Sequence, residues 1–179
     1  MQALLDALDD RHLRTVAEHW WACRLDADVP YWRHMPRDVL QPLMPAVLLL
    51  HHVPANGSFR VETLTDDLTG LTRLRLGGKL IDDVLPTDMV PDVRARLLSV
   101  LDGPAVLVIK VGDQAHPARG AVEERLLLPL RDAGRGPPDL LLAVYTRLDP
   151  QATHWLPITQ NALSISRLAV SELAAQARM

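Results

Sequence analysis

Two pairs of adjacent residues, His51-His52 and Glu123-Glu124, have side chains that often carry acid–base or metal chemistry. Paired carboxylates can share general acid–base work, and neutral imidazoles bind metal ions. Both pairs stand on predicted β-strands, where adjacent side chains point to opposite faces of a sheet. We therefore predict that neither pair acts on a single ligand. The glutamates are interpreted as a solvated strand start that forms ion pairs with arginines. A structural histidine is the preferred interpretation of His51-His52.

The spacing of His19 and Cys23, four residues apart on a predicted helix, would let both reach one metal ion. Two ligands do not make a site, and Cys23 is the only cysteine, which excludes an internal disulfide and a multi-cysteine zinc site. Ser164 and Ser166 lack the setting of a nucleophile elbow. We therefore predict no metal site, no catalytic residue and no enzyme activity.

The composition is that of an ordinary globular chain able to bury a core, with 179 residues, 48% of them hydrophobic and 23% charged. The net charge of -3 and the absence of a basic block argue against nucleic acid and anionic membranes as partners. No apolar run approaches the roughly 20 residues that cross a bilayer. The acidic start, MQALLDALDD, lacks the layout of a secretory signal. We therefore expect a cytoplasmic protein.

Glu123 and Glu124 belong to the stretch AVEERLLLPL, residues 121–130, which must position them. We predict that this stretch is a central strand of an antiparallel sheet. Its apolar run is short and is followed by the Gly- and Pro-rich turn 131–138, which favours a buried strand over a helix. A continuous apolar run indicates that both sheet faces are covered. Pro129 has no N–H for a ladder and is expected at a strand end, an edge or a bulge. The next strand is predicted over 140–148.

The remaining elements follow from apolar spacing and from turn residues. Helices are predicted over 3–25, 88–101 and 161–179, with a short helical turn around 37–43. Further strands are predicted over 46–53, 59–64 and 105–111, and a linker over 149–157. This order, a strand pair, a helical crossover and a three-stranded meander, predicts one α+β sheet domain.

The chain resembles a family of short bacterial PAS-like domains that often occur without an attached output domain. The strings that carry the resemblance are EHWWACR (18–24), PRDVLQPLMPAVLLLHHV (36–53), GGKLIDDVLP (77–86), VEERLLLPLRDAG (122–134) and DLLLAVY (139–145). The resemblance implies an α+β fold with a five-stranded antiparallel sheet, short helices on one face, and flanking N- and C-terminal helices. The corresponding units are an N-terminal helix (1–30), a PAS-like domain (31–148), and a linker with a C-terminal helix (149–179).

The resemblance also implies a role in sensing or signalling, and the family carries no catalytic motif to transfer. A pocket is expected between the sheet and residues 65–103, with His51, Arg125 and Tyr145 as candidate polar contacts to a small molecule. Relatives that use flavin photochemistry have a cysteine in the helical middle, and haem-binding relatives have a histidine in the middle helix. This chain has neither, which disfavours both groups without excluding their noncovalent binding. The cofactor is therefore unassigned.

The alternative is a structural interaction module whose core is filled and which binds no small molecule. In that case the terminal helices form the surface for a homodimer or a signalling partner. The candidate interface residues are Trp20, Trp21, Leu163, Val170 and Leu173. A third interpretation is that both terminal helices simply pack on their own sheet.

Overall fold

The computed structural model describes residues 1–25, 27–41, 47–62, 76–112, 120–133, 136–147 and 162–177. Its strands are β1 (Val47–Val53), β2 (Ser58–Glu62), β3 (Ala105–Gly112), β4 (Ala121–Leu130), β5 (Leu140–Arg147) and β6 (Ala162–Ala169). Its α-helices are α1 (Gln2–Ala7), α2 (Arg11–Ala22), α3 (Arg37–Leu40), α4 (Ile81–Val84), α5 (Val90–Leu101) and α6 (Val170–Gln176), and a 3₁₀ turn spans Trp32–His34. The strands form one antiparallel sheet of six strands in the order β2-β1-β5-β4-β3-β6.

The predicted central strands are confirmed as β4 and β5, which pair from Glu123↔Arg147 to Leu130↔Leu140. Pro129 is the penultimate residue of β4. The ladder between β3 and β4 ends at Leu107↔Leu127, so the missing N–H of Pro129 costs that ladder nothing. Pro129 therefore lies at a strand end, as its chemistry predicts.

Both faces of the sheet are covered, as the continuous apolar run of β4 indicates. On the face that we call the terminal face, α1, α2, α3 and α6 pack on sheet residues that include Val47, Leu49, Val106, Val108, Leu126, Leu128, Leu142 and Val144. On the face that we call the central face, α4 and α5 pack on residues that include Leu50, Phe59, Leu107, Ile109, Leu127 and Leu141. The sheet is thus the middle of three layers, and helix α5 supplies most of the central-face cover among the described elements.

The single helix predicted over 3–25 is wrong, because the chain forms two helices there, α1 and α2. The backbone is extended at Leu8 and again at Asp10. The Asp10 carboxylate accepts hydrogen bonds from the backbone N–H groups of His12, at 2.7 Å, and Leu13, at 3.0 Å. An N-cap of this kind begins a helix, so it starts α2 afresh and divides the predicted helix in two.

The helix predicted over 161–179 is also wrong in its first half. Residues 162–169 form β6 at one edge of the sheet, and only Val170–Gln176 is helical. The sheet accordingly has six strands and not the predicted five. Strand β6 pairs with β3 along its length, from Ala105↔Ala169 to Val111↔Ala162. The predicted linker, 149–157, lies outside the described residues.

Helix α5 confirms the helix predicted over 88–101, and β3, β1 and β2 confirm the other predicted strands within a few residues. Gly103, just past the end of α5, has a φ of +62°, a conformation that glycine adopts without strain. The turn before β2 uses Gly57, at φ +63°. In the described ranges, no helix combines the length and apolar character needed to span a bilayer.

Candidate functional site

A polar cluster on the central face contains the buried residues Glu123 and Arg125 and the partly buried Tyr145. Glu123 and Arg125 are two residues apart on β4, so their side chains share a face. Arg125 stands directly opposite Tyr145 on β5, as the register of the two strands shows. The Nε of Arg125 donates to Oε1 of Glu123. The relative exposures of Glu123 and Arg125 are only 2% and 4%, so this ion pair is held out of water.

Tyr145 completes the cluster from the neighbouring strand. The Cζ atom of Arg125 lies 5.3 Å from the centroid of the Tyr145 ring, within the range of a cation–π contact. Burial raises the pKa of Tyr145, Arg125 acts to lower it, and the negative charge of Glu123 raises it further. The phenol is therefore neutral near pH 7, and its hydroxyl can donate as well as accept a hydrogen bond.

The predicted divergence of Glu123 and Glu124 is confirmed, but the predicted solvated strand start is wrong. Both carboxylates are buried, Glu123 on the central face and Glu124 on the terminal face. Glu124 accepts the backbone N–H of Asp9 at 3.0 and 3.1 Å and that of Asp10 at 2.8 Å. Lys110 on β3 lies 3.9 Å from Glu124 and 2.6 Å from Asp9. Glu124 therefore ties the start of α2 to the central strand.

The structure does not bring His51 together with Arg125 and Tyr145. His51 pairs with Arg60 and with Leu140, a residue of the terminal-face core, so it lies on the opposite face from the buried cluster. Its Nδ1 lies 3.8 Å from Oε1 of Glu62 at the sheet edge. Of the three candidate polar contacts, Arg125 and Tyr145 lie on the central face and His51 lies on the terminal face.

His52 is the histidine that faces the central side of the sheet. Its ring packs against Phe59 with the centroids 5.2 Å apart. Burial lowers the pKa of His52, His51 lowers it further, and Asp139 acts to raise it. This contact agrees with the structural role preferred for the pair, and it also confirms that the two imidazoles point apart.

Most of the candidate interface residues turn inward. Trp20 has no exposed surface, and Val170 and Leu173 of α6 are buried in the terminal-face core beside Leu4 and Leu8. The terminal helices thus pack on their own sheet, which agrees with the third interpretation. Leu163 lies on β6 and not on a helix.

Trp21, another candidate interface residue, keeps some exposure. The guanidinium of Arg24 stacks over its ring at 4.0 Å, and the ring of Trp20 lies 6.3 Å away. The structure places Ile165 on the edge strand β6 with 44% of its surface exposed, a residue that the sequence did not suggest.

Cys23 and His19 do not form a recognisable metal site. The Sγ of Cys23 donates to the backbone oxygen of His34 at 3.0 Å, and burial raises the pKa of the thiol. Over the described part of the chain, no group of three or more His, Cys, Asp or Glu side chains could hold a metal ion. Cys23 acts instead as a packing residue that joins α2 to the 3₁₀ turn.

The sequence did contain a signal for the buried cluster. Opposite charges two positions apart on a predicted central strand, Glu123 and Arg125, must lie on the same face and within reach of each other. The sequence did not show that both charged side chains would be buried, with relative exposures of 2% and 4%. Comparisons of the chain with known protein families, with curated proteins and with solved structures find no match.

Proposed function

We propose that this chain is a regulatory, non-enzymatic module of PAS-like architecture whose central face takes a small molecule. The observation that carries the proposal is the buried Arg125, which stands opposite Tyr145 on the two innermost strands. A ligand that lies against these strands would meet the phenol of Tyr145 and the guanidinium of Arg125 with its Glu123 partner, among apolar residues such as Leu127 and Ile109. Predominantly apolar lining with a few fixed polar groups is the usual composition of such a site.

The strand order supports the same proposal. Strands β1 to β5 follow the order β2-β1-β5-β4-β3, with the helical connection from β2 to β3 placed over one face. This element order agrees with the resemblance to PAS-like domains, which implies a pocket between the sheet and that connection. Strand β6 is an addition next to β3, at the edge farthest from β1 and β2. Residues 63–75 of the connection lie outside the described residues.

A thermal-shift panel of small metabolites tests the proposal, with carboxylates, phosphates, nucleotides and planar heterocycles as probes. A ligand of the central face should raise the melting temperature of the wild-type chain, and Tyr145→Phe should reduce that shift. The matched control is His51→Ala, because His51 occupies the other face and should leave the shift unchanged. A panel without any shift, or a shift lost in His51→Ala alone, would count against the central face as the site.

The alternative, an interaction module with a filled core, also has an observation in its favour. Phe59, Ile109 and Leu141 on the central face have no exposed surface, so apolar side chains fill much of the space beneath α5. Removing the chain after Pro157 would not separate fold from assembly, because it would delete β6 along with α6. The oligomeric state of the wild type and of Ile165→Lys, compared by light scattering, tests this alternative. A dimer that Ile165→Lys converts to a monomer would support it.

A further inference from the structure

The side chain of Arg167 crosses from the edge strand β6 to the end of helix α5. Arg167 pairs with Leu107 of β3, so it points to the central face. Its Nε and Nη2 donate to the carbonyl of Ser99 at 3.3 and 3.2 Å. The same Nη2 donates to the carbonyls of Asp102, at 3.2 Å, and Gly103, at 2.9 Å. One guanidinium thus holds the carbonyls at the C-terminal end of α5.

These carbonyls require hydrogen-bond donors from outside the helix. The last carbonyls of an α-helix have no N–H partner within the helix and carry the negative end of its dipole. A guanidinium has several donors in a rigid plane and can serve more than one acceptor, whereas an ammonium is a single point of charge. Arg167 is therefore a cap for α5 that belongs to a different element.

The residues that follow Arg167 lead to the terminal face of the sheet. Strand β6 ends at Ala169 and α6 begins at Val170, whose N–H donates to the carbonyl of Pro104 at 2.9 Å. The side chains of Val170 and Leu173 are buried in the terminal-face core. Only two residues separate Arg167 from α6, and the chain passes around the sheet edge between them.

We propose that Arg167 couples the position of α5 on the central face to that of α6 on the terminal face. A displacement of α5 must either move β6 and α6 with it or break the hydrogen bonds of Arg167. The inference rests on the proposed function only in naming α5 as the helix over the ligand. Arg167 transmits a change in the position of α5 to α6 around the edge of the sheet.

Hydrogen–deuterium exchange of the full chain tests the coupling without any ligand. Leu97→Ala removes a buried contact of α5 and so loosens this helix. Amide exchange is then measured over residues 170–176 of α6. Its ratio to the exchange of β4 corrects for global unfolding. In the Arg167 chain, Leu97→Ala should speed exchange in α6 by about threefold or more, as expected for local opening shared between two elements. In an Arg167→Gln chain, Leu97→Ala should leave α6 exchange unchanged.

Equal acceleration of α6 in both backgrounds would overturn the inference, because the signal would then travel through the sheet. The absence of acceleration in either background would overturn it too. Arg33→Gln, which changes an exposed arginine of the 3₁₀ turn, is the matched control and should preserve the coupling. If a variant does not fold, Val100→Ala replaces Leu97→Ala and Arg167→Lys replaces Arg167→Gln. Since the experiment contains no ligand, its outcome is independent of the metabolite panel.

Discussion

The indole Nε1 of Trp20 donates a hydrogen bond to the carbonyl oxygen of Pro129 across 2.9 Å in the buried interior. This bond fixes α2 to the end of the central strand β4. Trp20→Phe keeps an aromatic ring but leaves the carbonyl without this donor, and we expect a loss of about 1–3 kcal/mol in the free energy of unfolding. Urea unfolding followed by circular dichroism measures the loss. Trp21→Phe is the control, and an equal loss in that variant would contradict the role of the bond.

The buried pair of Glu123 and Arg125 should be sensitive to the removal of one charge. Glu123→Gln leaves the guanidinium short of its nearest carboxylate in a dry environment, and we expect a cost of about 3–5 kcal/mol. Replacing both residues by apolar ones of similar size should recover much of that cost. The comparison is Arg94→Gln, which breaks the Arg94–Asp82 pair, where the side chains are 33% and 25% exposed. That partly exposed pair should contribute less, about 0.2–1 kcal/mol. Equal costs at the two pairs would refute the importance of burial.

Glu124 should hold the N-terminal helices α1 and α2 against the sheet. Glu124→Gln removes the negative charge that the N–H groups of Asp9 and Asp10 face, and the expected cost is about 1–3 kcal/mol. Limited proteolysis should then cut within residues 1–22 before it cuts in the sheet. Glu18→Gln, at an exposed position of α2, is the control. Unchanged resistance of residues 1–22 in Glu124→Gln would contradict the tie.

Tyr145 should make the stability of the protein fall at alkaline pH. Its pKa in the folded chain is raised above the ordinary value of 10.0, chiefly by burial. The unfolded chain therefore releases the phenol proton at a lower pH than the folded chain, and the folded state binds more protons in between. The stabilisation from the neutral phenol is complete below pH 10.0 and is lost as the pH rises towards the folded pKa.

Ultraviolet absorbance measures this titration in a Tyr31→Phe chain, where Tyr145 is the one tyrosine that remains of two. We expect a midpoint above 10.0 in the folded chain, and a fall to the ordinary value in urea. A midpoint at or below the ordinary value in the folded state would show that the phenol is not buried beside Glu123.

Local sequence patterns were sufficient for most of the sheet. The apolar run of β4, bounded by a Gly- and Pro-rich turn, predicted a buried strand, and its continuity predicted cover on both faces. The alternation of side chains along a strand predicted that His51 and His52, and likewise Glu123 and Glu124, would point apart. These conclusions depend on backbone geometry alone, so they needed no knowledge of the neighbouring elements.

The predictions failed where contacts from distant parts of the chain decide. Residues 162–169 can be placed on a helical stripe with Val170, and only pairing with β3 makes them a strand. Asp10 is a local exception, because its carboxylate accepts the N–H groups of His12 and Leu13 and begins a new helix although the apolar spacing continues through it. The burial of Glu124 depends on two backbone N–H groups more than one hundred residues away.

The sequence by itself determined that an antiparallel α+β sheet would form around residues 121–130 and 140–147, because strand geometry and turn chemistry are properties of short segments. Only the tertiary structure decided that Arg125 would meet Tyr145 while His51 faces the other way, and that Arg167 would hold the end of α5. Each of these relationships joins residues on different elements, and the register and packing that bring them together are set by the whole core.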